Sequence, residues 1–188
     1  MSKNRKINFL EESEVEAIIA KIRRQGARNL RDRALISVLF STGLRISEAL
    51  ALQAKDFEPE AGIPETKELA IVGKGGRQRV VFFSPSSLVA VFEYQCVRGK
   101  QETDPRLFPL TPRGAQKIVK RRSAIAGLGD RNVTPHVFRH SNATNSLRKG
   151  ANVRQVQDYL GHANIATTMI YTHCTSEELR DLHKKIYG

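Results

Sequence analysis

Between Leu69 and Phe83 two β-prone runs, Leu69-Ala70-Ile71-Val72 and Arg77-Gln78-Arg79-Val80-Val81-Phe82-Phe83, flank Gly73-Lys74-Gly75-Gly76. Glycines between two such runs mark a tight reversal, so the stretch predicts an antiparallel hairpin with Lys74 near its tip. On either side of it apolar residues recur at helical intervals instead. A chain of 188 residues with one hairpin among helices is expected to form a single domain, mainly α with a small antiparallel β-sheet, an α+β fold.

The helices can be placed from their stops and caps. Ser13-x-x-Glu16 has capping-box spacing ahead of Val15, Ile18, Ile19 and Ile22, and Gly26 stops that run. Leu30 to Phe40 is a second, more apolar helical segment. Ser41-Thr42-Gly43 breaks it before a short turn over Ser47 to Leu52, which leaves Arg45 at a helix junction. Lys55 to Lys67, with Pro59, Gly62 and Pro64, reads as an irregular connection, and Ser86 to Val97 returns to helical spacing. Thr111-Pro112 and Thr134-Pro135 each offer a cap followed by proline at the first helical position. The first opens a helix expected to end near Gly127, the second one that carries His136 and Arg139. Val153, Val156 and Leu160 mark a further short helix ending at Gly161, and Asn164 is read as the cap of the segment that holds Tyr171. From Ser176 to Tyr187, Leu179, Leu182 and Ile186 share one stripe, the pattern of a detachable tail helix.

Thirty-one Lys and Arg against nineteen Asp and Glu give a formal charge of +12, which points to a polyanionic partner. No apolar stretch reaches the ~20 residues of a spanning helix, and the N-terminus has no signal-peptide h-region, so the expected location is cytoplasmic, on the nucleoid when DNA-bound. Cys96 and Cys174 lie far apart without a close pair, arguing against a disulfide framework or a zinc ribbon. Tryptophan is absent and aromatics make up 6%, too little for a platform that stacks single-stranded bases. Contact with the backbone of double-stranded DNA is the better expectation. Asp56, Asp104, Asp130, Asp158 and Asp181 are scattered, which speaks against a metal-dependent nuclease; no cofactor and no metal are expected.

Strand cleavage without a metal requires fixed cations to meet the negative charge that grows on the phosphate oxygens. Arginine suits this, since its planar fork holds two phosphate oxygens and stays charged. Arg45 and Arg139 are the candidates, with Glu48 as a support that orients the Arg45 guanidinium from behind. His136 and Arg139 are three apart near a helix N-terminus, where backbone N–H groups and the helix dipole favour an anion. Tyr171, nine residues past His162, is the candidate nucleophile; a phenol with a free pKa of ~10 needs cations and a proton acceptor beside it. His136 is the candidate acceptor and His162 a hydrogen-bond donor to the phosphate. Lys74, on its glycine turn, can reach a minor groove and deliver a proton to the departing oxygen. Taken singly these are an ordinary helix-end arginine, a capping histidine, a turn lysine and a rim tyrosine; it is their combination that points to chemistry.

Four segments, TGLRISEALAL, GKGGRQRVV, HVFRHSNAT and LGHANIATTMIYTH, resemble in order and approximate spacing the tyrosine recombinase (λ-integrase-like, phage-type integrase) family, over roughly residues 10 to 175. The resemblance implies a tyrosine recombinase catalytic-domain fold and a site-specific DNA recombinase or integrase that cleaves and rejoins strands without metal or ATP. It further implies that Arg45 and Arg139 bind the scissile phosphate, Lys74 protonates the 5′ oxygen, His136 and His162 assist, and Tyr171 attacks phosphorus to leave a 3′ phosphotyrosine. Exchange would proceed in a homo-tetramer on DNA, with accessory DNA-bending proteins as candidate further partners, and residues 176–188 as a tail passed between protomers. Phe138 stands where the family commonly has leucine, and Ser141-Asn142 replaces a more usual Thr-Phe; both changes are expected to touch packing rather than chemistry. Only about ten residues precede the first helix, so no N-terminal core-binding domain is expected. The competing readings are a type IB topoisomerase and a DNA-binding protein without catalysis.

Overall fold

The computed structural model describes residues 9–57, 64–73, 76, 78–98, 103–161 and 176–187. Its axis is a helix whose C-terminal half is buried on all sides. This is α2 (Ala27–Thr42), buried without a break from Ala34 to Thr42, the behaviour of a helix with neighbours on every side. Around it stand α1 (Glu12–Ala20), α3 (Ile46–Ala51), α4 (Pro85–Arg98), α5 (Pro112–Ser123) and α6 (Pro135–Arg148). The strands β1 (Lys67–Val72) and β2 (Gln78–Phe83) pair antiparallel, Lys67 opposite Phe83 and Val72 opposite Gln78. The helix α7 (Val153–Leu160) leads toward the last described element, α8 (Ser176–Tyr187). The expected mainly α domain with one hairpin is the observed architecture.

At its inner end β2 buries Val81, Phe82 and Phe83 in succession, because both faces of the strand are covered there. Phe83 meets Phe57 edge-on at 5.0 Å in the main core. Phe82 faces the other way, stacked on Tyr159 at 6.5 Å, in a second cluster with Ala151, Val156, Leu160 and Ile186 of α8. The tail helix thus lies against the body of its own chain.

Several boundaries differ from the sequence expectation. The first helix starts at Glu12, and Glu14 Oε2 accepts from the Glu11 N–H at 2.9 Å; Glu14, not Glu16, is the residue that reaches back. It ends at Ala20, and Ile22 is buried by the turn that follows rather than by the helix. Thr111 Oγ1 caps α5 by accepting from Gly114 N at 3.1 Å. Thr134 makes no such bond, so of the two expected caps only the proline device recurs at α6. After Ser123 the helix widens into a π-turn, Ala124–Leu128, which Gly127 closes at φ 88°.

Between α2 and α5 a carboxylate works as a staple. Asp32 is fully buried and accepts from Arg31, Arg121 and Arg122. Ser141 and Asn142, the departures noted above, are fully buried too. Ser141 Oγ accepts from Leu10 N at 2.7 Å and Asn142 Nδ2 donates to the Phe40 carbonyl at 2.7 Å. Both therefore tie α6 to its neighbours.

Candidate active site

Two helices end in left-handed glycines, α2 at Gly43 (φ 60°) and α7 at Gly161 (φ 66°). The carbonyls at the end of a helix carry partial negative charge, and the two glycines turn the chain so that the Gly43 and Leu160 carbonyls are free to accept from a side chain. Both ends turn to one guanidinium. Arg139, on the second turn of α6, donates Nη1 to the Gly43 carbonyl and Nη2 to the Leu160 carbonyl, each at 2.6 Å. The approach needs a glycine at 43, since a Cβ there would sit 2.4 Å from Leu160 Cδ2. Arg139 is 4% exposed. Burial first, then the positive charges of Arg45 and Arg79, lower its guanidinium to about 10, which leaves it cationic at neutral pH. Of its five N–H groups, two are engaged by these carbonyls.

Arg45 is the N-cap residue of α3, two residues past Gly43. Glu48 holds it twice: Oε2 accepts from the Arg45 backbone N–H at 2.8 Å and Oε1 from Nη1 at 3.0 Å. Arg45 Nη2 reaches the Gly161 carbonyl at 3.4 Å, so Arg45 and Arg139 hang on successive carbonyls at the end of α7. From β2 a third arginine closes on the same carboxylate, Arg79 Nη1 on Oε1 at 3.0 Å and Nη2 on Oε2 at 2.7 Å. Burial of Glu48 raises its carboxyl, but the bonds from Arg79 and from the Arg45 backbone outweigh this and hold it at about 2. The described residues therefore put two guanidiniums on one carboxylate with a third, Arg139, close enough to feel the charges of Arg45, Arg79 and Glu48, an excess of positive charge suited to an oxyanion that gains charge.

Sequence reasoning put Arg45, Glu48 and Arg139 in one site, and the structure brings the three together. His136 is exposed on the first turn of α6, one turn ahead of Arg139. Lys74, His162, Asn164 and Tyr171 lie outside the described residues; in sequence Lys74 belongs to the reversal between β1 and β2, and His162 follows Gly161 directly. The sequence reading does not single out Arg79. A signal for it exists: by the two-residue period of a strand, Arg79 shares a face with Val81 and Phe83, both fully buried. A cation on the inward face of a strand calls for a buried carboxylate. Among the described residues no group of His, Cys, Asp and Glu is arranged to hold a metal ion.

The sequence matches the phage integrase family over residues 8–178. The chain belongs to the phage integrase family. It is 42% identical over 163 residues to a tyrosine recombinase XerD of Corynebacterium glutamicum, covering 82% of this chain and 52% of that protein. To a tyrosine recombinase XerC of Halalkalibacterium halodurans it is 35% identical over 191 residues, covering 94% of this chain and 61% of the relative. The chain thus spans about half to three fifths of the curated relatives it matches. Among solved structures, a XerA recombinase superposes with a TM-score of 0.68 at 29% identity, covering 94% of this chain and 64% of that one. XerH bound to a palindromic difH substrate in a post-cleavage complex gives 0.71 at 30% identity, covering 86% and 48%. The fold expected from the family resemblance is the fold found. No helix among the described residues is long and apolar enough to cross a membrane.

Proposed function

We propose that this phage integrase family chain is the catalytic domain of a site-specific recombinase that cleaves and rejoins double-stranded DNA through a 3′ phosphotyrosine. The observation that carries the reading is the convergence of Arg45 and Arg139 on the carbonyls of Gly43, Leu160 and Gly161. That convergence sits one residue before His162 and ten before Tyr171. The two guanidiniums take the non-bridging oxygens of the scissile phosphate and draw charge from phosphorus as the transition state forms. Tyr171 gives its proton to His136 and attacks; Lys74 protonates the departing 5′ oxygen; His162 donates a hydrogen bond to the phosphate. The phosphotyrosine keeps the bond energy of the diester, so a 5′ hydroxyl from another strand reverses the step without ATP.

Strand exchange between two duplexes is assigned to a homo-tetramer on DNA in the cytoplasm, nucleoid-associated when bound, with accessory bending proteins as further partners. In that assembly the tail 176–188, which packs on its own body in the single chain, is released to pass from one protomer to the next. The direct test is covalent trapping on a nicked suicide substrate in EDTA, comparing wild type with Tyr171→Phe. A denaturation-resistant DNA adduct that vanishes in the variant supports the reading; a wild type that makes none on a verified cognate site overturns it.

A further inference from the structure

Glu48 braces Arg45 by its backbone and its guanidinium at once, but it does so by placing a buried negative charge beside the group meant to hold a phosphate. Left alone, that carboxylate would offset Arg45 and weaken the site for any anion. Arg79 meets both of its oxygens with a side chain that is only 11% exposed. Arg79 also lies on the other support of Arg45: a Cβ on Gly161 would fall 2.8 Å from Arg79 Cδ and 3.1 Å from its Nη1, and the Gly161 carbonyl is the one that takes Arg45 Nη2. With Arg79 the described cluster keeps an excess of two positive charges, close to what a phosphate acquires as it becomes pentacoordinate; without it the excess is one.

We propose that Arg79 is a positioning residue of the phosphate site, one that fixes the Glu48 carboxylate and cancels its charge so that Arg45 faces the scissile phosphate as a full cation. The proposal rests on the strand-cleavage reading above and assigns a role to a residue outside the expected set of six. Its two elements are separable. Geometry is supplied by the bidentate ion pair and by contact with Gly161; charge is supplied by the guanidinium against a carboxylate that is itself 8% exposed.

The test is single-turnover cleavage of a nicked suicide substrate by wild type, Arg79→Met, Arg79→Lys and the double variant Arg79→Met/Glu48→Gln. Each is run on a natural scissile phosphate and on a neutral methylphosphonate at the same position. Wild-type adduct formation that depends on Tyr171 decides the parent reading; the comparison among variants decides this one. Arg79→Met is expected to slow cleavage of the phosphate by about 100-fold, and Arg79→Lys, which keeps charge and loses the fork, by less. Adding Glu48→Gln to Arg79→Met should recover about 10-fold, because the uncompensated carboxylate goes with its partner. On the methylphosphonate the gap between wild type and Arg79→Met should shrink to within about 10-fold. A defect equal on both substrates and unrelieved by Glu48→Gln would mean that Arg79 only holds the fold, and would overturn the proposal, as would an Arg79→Met enzyme that cleaves at the wild-type rate. The double variant removes the buried charge together with its partner, so it keeps the comparison open if Arg79→Met alone is unstable.

Discussion

His183 should give α8 a pH-dependent grip on the body. The ring is 2% exposed and packed among Tyr187 at 5.1 Å, Phe82 at 5.9 Å and Tyr159 at 6.2 Å. Burial lowers its pKa to about 4, and hydrogen bonds with the Ser41 and Phe82 backbone offset this only in part. An unfolded histidine titrates near ~6.5, so between the two values the released state binds more protons than the docked one. The docking contribution is therefore whole above about pH 6.5 and is lost as pH falls toward 4. A gap of about 2.5 pH units corresponds to about 3 kcal/mol, of which about 2 kcal/mol is gone at pH 5. The perturbation is His183→Leu, which fills the same space and cannot take a proton. Thermal melts of both proteins at pH 8 and pH 5 separate this group from all others. For a domain of this size, wild type should lose about 4–8 °C more than the variant over that interval, and hydrogen exchange should locate the loss in α8 and its footing on Phe82. Equal losses in the two proteins would refute the reasoning.

Asp32→Ala leaves Arg122, 11% exposed, without its carboxylate, and should cost about 3 kcal/mol in denaturant unfolding; a change within error would show that the three arginines find other partners. Gly43→Ala combines a left-handed backbone penalty of about 1–2 kcal/mol with the Leu160 clash, and melting should show it as a loss larger than the backbone penalty alone. Arg139→Lys keeps the charge but cannot fork between the Gly43 and Leu160 carbonyls; cleavage should fall about 100-fold while duplex affinity in a gel shift stays within a few-fold. Binding to duplex DNA should weaken steeply with salt, as contacts resting on Lys and Arg require, and a flat response would remove phosphate contact as its basis.

What the sequence made legible follows the range of the interactions involved. Hairpin, cap and glycine signals act within a few residues, and Thr111, Gly127 and Gly161 do what local rules say they should. Helix starts slipped where two acids competed for one cap, as at Glu14 and Glu16, because a capping box is decided by which side chain reaches the free N–H. The Asp32 staple and the Arg79 contact were not read, for a common reason. Each joins residues tens of positions apart, Asp32 with Arg121 and Arg122, Arg79 with Glu48, and neither end carries a local signature beyond a charge on an inward face. His183 is a similar case, an apolar-stripe position on α8 occupied by a group that titrates.

The wording of the motifs becomes intelligible at this level. In Thr42-Gly43-Leu44-Arg45-Ile46-Ser47-Glu48 only Arg45 is expected to touch phosphate, yet Thr42, Gly43 and Glu48 help to hold the arginines in place. Thr42 Oγ1 donates to the Val38 carbonyl at 2.6 Å and accepts from Leu44 N at 3.2 Å, turning the chain out of α2. Gly43 lends its carbonyl to Arg139, Leu44 is fully buried, and Glu48 grips Arg45. In Leu160-Gly161-His162 the first two residues supply the carbonyls for Arg139 and Arg45. Two cations brought this close repel each other, and burial deprives them of water; backbone carbonyls at helix ends and one shared carboxylate meet both problems without the full anionic charge that two opposing carboxylates would bring. A site that meets a phosphate with arginines needs such an undercompensated cluster, and helix termini that end on glycine are a way to build one from backbone alone.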